Sequence, residues 1–344
     1  MRLDVKQVVD ATTWDDAVRR AGGSIFHSSI WAAYVAACDP NVTTQYITLE
    51  GEHREVLGLA LGFRTRSRHR FVGRFTGRLR LESAPLTMRS DEHHMERFVD
   101  LLQDFARRCG DVELSIGSFA AAGSAELLGQ RNFTLRRRLE FELPLDRPED
   151  EMWKGLDYKR RWNINKARRL GVVIKRLPPG EGIPTLRRLQ AESGRRIVAR
   201  KGPDIARRSW IGERDPNEVL TTSGCGQIVG AYLDGIAVSA GLFTSFNGLV
   251  YHTLSGHDRT GLRTQAPTLL LWQMISHYRA QEAERFNFGG CSIDATTPSS
   301  PEHGVYVYKK SLGGRCLECT GGTKILRRGA HRMQQLLARV RARP

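Results

Sequence analysis

Apolar residues recur along this chain with two periods, and the switches between them divide it into elements. Trp31, Tyr34, Val35 and Cys38 share one face of a helix predicted over 24–38, capped by Ser28 or Ser29. Strands are predicted over 45–49 and 55–63 with a hairpin at Gly51 to Arg54, after which Arg64, Arg66, Arg68 and Arg70 alternate. A strand continued through them would carry four cations on one face, either as a solvent edge blunted by charge, the preferred reading, or as a wall facing phosphate. Met95, Phe98, Val99, Leu102 and Phe105 then fall at helical spacing within 91–108. A buried strand over 112–116, a short helix over 124–130 and a strand over 139–143 complete the first half. Pro144, Pro148 and the acids between them read as a linker, and Met152 opens a second run.

That run begins with a helix from Tyr158 stopped by Gly171, a strand over 172–177 and a helix over 186–199. Three strands over 227–233, 236–243 and 249–254 follow, with Asp234-Gly235 and Asn247-Gly248 as the tight turns. An apolar helix over 268–278, in which Trp272 and Tyr278 read as core, leads to a strand at Arg285 where Phe286 and Phe288 alternate with polar neighbours. Gly289-Gly290 then allows a turn or a close approach, and Val305, Tyr306 and Tyr308 lead into a short helix carrying Lys309 and ended by Gly313. Both halves repeat paired strands, helix, strand, short helix and strand. The expected fold class is α/β of the α+β type, two tandem domains over 1–145 and 146–323, each a mixed, mostly antiparallel sheet flanked by helices. A basic amphipathic helix occupies 324–344.

A length of 344 residues exceeds the usual size of one core, which fits two domains. No apolar run approaches the roughly 20 residues that span a bilayer, and the acidic, mixed start does not read as a signal peptide, so a cytoplasmic protein is expected, or one peripheral to the inner membrane face. The net charge of +16 is concentrated. Tyr158 to Arg176 holds eight cations and Lys324 to Arg343 seven, neither with an acid, and the remaining 38 cations nearly balance the 37 acids. Two such surfaces imply an extended polyanion, either RNA or an anionic lipid face. The tail places Ile325, Met333, Leu336, Leu337 and Val340 on one stripe against its arginines, suited to docking on its own protein, to lipid or to RNA. Cys316 and Cys319 have zinc-like spacing without a second pair, so no metal is expected, and the other four cysteines read as small buried hydrophobes.

The order at the end of the second run resembles the close of a GNAT acyltransferase domain. Lys309 stands four residues before Gly313, where many of those enzymes carry a tyrosine that protonates the leaving group. A lysine there, after a strand of the type Asp-Phe-Gly-Gly, is similar to the Fem family of aminoacyltransferases and its FemAB-like relatives. Asn287 replaces the aspartate of that pattern and Leu312 its aromatic. His27-Ser28-Ser29-Ile30-Trp31, the basic phrase from Tyr158 to Gly171, and Val250-Tyr251-His252-Thr253-Leu254-Ser255-Gly256 also resemble Fem-type segments.

The resemblance implies joining of an activated acyl group to an amine on a cell-wall precursor or related glycoconjugate. Lys309 would stabilise charge on the carbonyl or the departing ribose oxygen, with Tyr308 shaping the pocket. Tyr251 and Arg196 would meet the acceptor, as would the turn Ala199 to Gly202, and Arg161, Asn165 and Arg168 would meet phosphate. No tightly bound cofactor is expected, and the donor is an aminoacyl-tRNA or an acyl-CoA. The glycine spacing that holds a CoA pyrophosphate is missing from His257 to Pro267 and from Pro85 to Glu92, which favours tRNA. Asp258, Asp294 and Glu302 are general-base candidates by proximity in sequence alone. The tail would return to the first domain. The competing readings are a CoA-dependent N-acetyltransferase and a non-catalytic module binding RNA or membrane.

Overall fold

The alternating stretches form strands because each has one face to bury, and the 3.6-residue stretches supply the helices that cover them. The computed structural model describes residues 1–67, 70–73, 75–89, 91–120, 125–201 and 215–341. It runs β1 (Arg2–Lys6), α1 (Ala11–Arg20), α2 (Ser29–Cys38), β2 (Val42–Glu50), β3 (Val56–Thr65), α3 (Arg70–Gly73), β4 (Arg78–Leu81), β5 (Leu86–Thr87), α4 (Glu92–Arg108), β6 (Glu113–Ile116), α5 (Ala125–Gln130) and β7 (Thr134–Pro144). Then come α6 (Glu149–Gly155), α7 (Tyr158–Arg169), β8 (Val173–Leu177), α8 (Pro179–Lys201), α9 (Asn217–Thr222), β9 (Gly226–Leu233), β10 (Ile236–Phe246), β11 (Leu249–His257), α10 (Arg259–Thr264), α11 (Ala266–Ala280), β12 (Arg285–Ser292), α12 (His303–Lys310), β13 (Arg315–Ile325) and α13 (Arg328–Arg341). Among the described residues no helix is long and apolar enough to cross a membrane.

The chain divides into Met1–Arg138 with Glu318–Pro344, and Leu139–Leu317. The first division falls inside β7, ahead of the proline linker, because that strand runs unbroken from Thr134 to Pro144. In the first unit the strands lie in the order β1-β2-β3-β4-β6-β13, with β4 and β6 parallel. Ile47, Leu79, Phe98, Leu102 and Leu114 form its core. Here β3 pairs with both β2 and β4, so it is no edge. Arg64 turns inward to the fully buried Asp111 at 3.1 Å, and Arg66 approaches the same carboxylate at 3.6 Å. The expected charged edge is therefore an ion-pair cluster; Arg68 and the Arg70 side chain lie outside the described residues.

The C-terminal segment is likewise not one helix, since Lys324 and Ile325 belong to β13. Helix α13 contacts its own unit through the buried Ala330 and through Gln334, whose amide donates to the Phe75 carbonyl. Met333 and Leu336 of the expected apolar stripe are exposed, and the side chains of Leu337 and Val340 lie outside the described residues. Only Cys291 of the four cysteines expected to be buried is so, while Cys38, Cys109 and Cys225 are half-buried.

In the second unit the order is β7-β12-β11-β10-β9-β8. Both tight turns form as their sequences require: Asp234 and Gly235, and Asn247 and Gly248, all have positive φ, the backbone of a hairpin turn whose twist matches its strands. Helix α11 buries Leu269, Leu270, Trp272, Ile275 and Tyr278 in a core shared with Phe243, Phe286 and Phe288. A parallel ladder joins β11 to β12 over Leu249↔Arg285, Val250↔Phe286 and Tyr251↔Asn287. Its pairing ends there, although both strands run on. The site lies at that point.

Candidate active site

Past Asn287 the β12 backbone enters the left-handed region at Gly289, with φ of +72°. A side chain would be strained there, and an added Cβ would make ordinary contacts with the Lys309 Nζ at 3.4 Å, the His252 carbonyl at 3.7 Å and the Tyr251 ring at 3.9 Å, which are therefore the neighbours of this turn. Lys309, half-buried on α12, donates to the Gly290 carbonyl at 3.0 Å. Its ammonium is thus held against a strand end where the ladder has stopped. Among the sequence-predicted residues, Lys309 and Tyr251 are brought together here.

Tyr251 is buried on β11 and its hydroxyl donates to the Glu140 carboxylate at 3.1 Å. Asn287 donates to the other oxygen of Glu140 at 2.8 Å and accepts from the Gly289 N–H at 2.7 Å. That second bond fixes which end of the amide faces which partner, because the reversed amide would set its donors against an N–H. An aspartate at 287 would face Glu140 with a second carboxylate, so the departure from the Asp-Phe-Gly-Gly pattern goes with the presence of Glu140.

Glu140 was not legible as a site residue. In Leu139-Glu140-Phe141-Glu142-Leu143 the alternation assigns both glutamates to a polar face, whereas Glu140 is fully buried and bonded by Tyr251 and Asn287, far along the chain. The candidate bases chosen by proximity have local duties instead. Asp258 caps α10 by accepting from the Gly261 N–H, Asp294 accepts from the Ser300 hydroxyl, and Glu302 accepts from the Ser292 N–H.

His252 stacks on Phe243, with ring centroids 4.9 Å apart and planes within 14°. Burial and then the Lys309 charge push its pKa from the ordinary 6.5 down to about 3. Burial and then Arg196 push His257 down to about 4. Both rings are neutral in the folded protein and take up protons more readily once unfolded. Their contribution to stability is complete above about pH 6.5 and is lost as pH falls toward 4 and then 3. Thermal melts are expected to show Tm dropping through that window. A His252→Phe variant, which keeps the stack, is expected to drop less.

The other predicted residues lie elsewhere in the unit. Tyr308 is turned beneath the Arg160 guanidinium, 4.8 Å from its ring, and burial raises its phenol. Arg196 donates to the His257 carbonyl at 3.1 Å, fixing the end of β11. The basic helix α7 has a double use. Arg160 donates to the Ser311 hydroxyl at 2.7 Å and the Asp157 N–H to the Ser311 carbonyl at 3.1 Å, which clamps the end of the helix that carries Lys309. Its outer face brings Arg161, Asn165 and Arg168 together with Trp153, Tyr158 and Trp162 around a groove of about 680 Å³. Tyr158 and Trp162 are exposed on it. Of the turn Ala199 to Gly202, Gly202 and the side chains of Arg200 and Lys201 lie outside the described residues. Among the described residues no cluster of metal-ligating side chains occurs.

The FemAB family model matches residues 225–337, the span that contains Tyr251, Asn287 and Lys309. The structure is similar to the crystal structure of FemX, with a TM-score of 0.76 at 14% identity over 97% of this chain and 99% of that one. It is also similar to L-PGS from Bacillus licheniformis, with a TM-score of 0.57 at 13% identity over 96% and 97% of the two chains. A tandem GNAT protein from the clavulanic acid biosynthesis pathway gives a TM-score of 0.53 at 12% identity over 94% and 99%. None of the curated proteins matches the sequence. These structural likenesses show the fold, in which two GNAT-like units follow one another.

Proposed function

We propose that this chain, a FemAB-like acyltransferase of GNAT-type fold, transfers an aminoacyl group from tRNA to an amine on a cell-envelope precursor. The observation that carries this reading is the Lys309 ammonium held at 3.0 Å from the Gly290 carbonyl, where the β11–β12 ladder ends. A carbonyl brought to this point would meet a positive charge already positioned, and an ammonium can both stabilise the developing oxyanion and protonate a departing ribose oxygen.

The choice of tRNA over CoA draws support from α10. A CoA-type donor needs free amides at the helix that follows the central strands, so that they can hold a pyrophosphate. Here the first turn of that helix is occupied by the Asp258 carboxylate, 2.7 Å from the Gly261 N–H, and an added anion would meet repulsion. The groove on α7 suits RNA better: aromatic faces stack on bases, and arginines flank them to take phosphates.

The test is transfer from labelled aminoacyl-tRNA and from labelled acetyl-CoA to an amine-bearing peptidoglycan precursor. Product from the tRNA donor alone is expected. Product from acetyl-CoA alone would sink the donor assignment, and product from neither would sink the transfer reading. Binding of tRNA is expected to weaken steeply with salt. Arg161→Ala and Arg168→Ala should each reduce the slope of log K against log salt by about 0.7–0.9, one phosphate contact apiece. An unchanged slope would remove the groove from the donor path.

A further inference from the structure

The attacking amine must lose a proton, and Asp258, Asp294 and Glu302 each hold a local hydrogen bond instead. We propose that Tyr251 and Glu140 form a relay that removes this proton, with the phenol meeting the amine and the buried carboxylate taking the proton through it. The inference rests on the transfer reading above and names a part of its machinery.

The geometry joins the two residues to the Lys309 site. The Tyr251 ring edge and the Lys309 ammonium both border the space beside Gly289 that a Cβ would fill, at 3.9 and 3.4 Å from it. Tyr251 Oη bonds one oxygen of Glu140 at 3.1 Å, and Asn287 holds the other at 2.8 Å. Glu140 has no exposed surface, so a proton reaches it through a neighbour. A fully buried carboxylate is costly to fold, and a position needed only for packing is more cheaply filled by an apolar side chain. The charged and titratable groups around the relay are the Lys309 ammonium from α12, the neutral His252 from β11, and the Glu142–Arg285 pair at 3.4 Å one step along β7 and β12.

The step balances without a further reactant. The amine nitrogen forms its bond to the acyl carbon as the ester C–O bond breaks. The proton leaving nitrogen goes to Tyr251 Oη while the phenol proton passes to Glu140, and the departing oxygen takes a proton from Lys309. Return of the proton from Glu140 through Tyr251 to Lys309, by solvent or product, resets the site. The products are an amide and an alcohol.

The experiment measures kcat and KM against pH for the full chain and for Glu140→Gln, Tyr251→Phe and the double variant. Each single change is expected to lower kcat by about 10²–10³-fold near neutral pH, with KM within about threefold. The deficit should shrink as pH rises and the amine deprotonates unaided, so the variants level off at higher pH than the wild type. The double variant should lose no more than either single one, since the two groups act as a unit. Three outcomes would overturn the relay: a Glu140→Gln enzyme within about threefold of wild type, losses that multiply, or a deficit of the same factor at every pH. The last is the mark of a merely structural clamp. Should Glu140→Gln fail to fold, Tyr251→Phe, which removes one oxygen, decides alone by the same pH criterion. A wild-type chain inactive with both donors overturns the transfer reading together with the relay, whereas an active wild type with unaffected variants overturns only the relay.

Discussion

Lys309→Met is expected to lower kcat for aminoacyl transfer by about 10²–10³-fold while donor and acceptor still bind, because it deletes the positive charge held against the Gly290 carbonyl past the end of the β11–β12 ladder. Methionine keeps most of the length and apolar stem, so α12 should remain seated. The Gly290 carbonyl loses its donor, and stability should fall by about 1–2 kcal/mol at most. Arginine is not expected to restore the rate. Its planar fork is wider than an ammonium and spreads the charge, so it does not reproduce the point charge that lysine holds 3.0 Å from the Gly290 carbonyl. A second readout needs no substrate. The Lys309 charge helps to hold the His252 imidazole neutral, so its removal should move that titration upward, observable by NMR. Retention of more than a third of the wild-type kcat in Lys309→Met would remove the ammonium from the mechanism.

Asn287→Asp is expected to have the largest effect on folding of any single change in the site. The new carboxylate would still accept from the Gly289 N–H, so the turn survives, but its other oxygen would face Glu140 at the 2.8 Å now spanned by the amide donor. Two buried carboxylates at that separation cannot both ionise, and one pKa must rise strongly. The folded variant then binds a proton that the unfolded chain releases once pH exceeds about 4. Its deficit should be small in acid and grow as pH climbs toward the raised pKa, reaching roughly 2–4 kcal/mol near neutrality. Denaturant melts at several pH values would show it. Adding Glu140→Gln should restore much of the loss, since glutamine can donate to the new aspartate and the pair is again donor against acceptor. A deficit independent of pH, or no recovery in the double variant, would show that the amide matters for shape rather than for charge.

Much of the site could be anticipated from local pattern. Lys309 was singled out because a short helix ended by Gly313 follows a glycine pair and because that order resembles the Fem family. Tyr251 was legible as a strand tyrosine. Its partner was not, since a glutamate in an alternating strand carries no mark of what will cover it. The arginines after Phe63 show the converse error: alternation suggested an edge, whereas β3 is enclosed by β2 and β4 and Arg64 turns onto Asp111. The basic phrase on α7 was read as a phosphate face, and half of its use proved to be the clamp of Arg160 and Asp157 on the helix that carries Lys309.

Periodicity and turn residues thus pointed by themselves to two successive layered units, the hairpins at Asp234-Gly235 and Asn247-Gly248, and a lysine that follows a strand and a glycine pair, because each is marked by the order of residues along the chain. Which groups meet that lysine was decided by tertiary structure alone. The register of β7 and β11 on β12 closes Glu140 beneath Tyr251 and Asn287, and whether a carboxylate meets water or a phenol is settled by the strand that arrives beside it, not by its own neighbours in the chain.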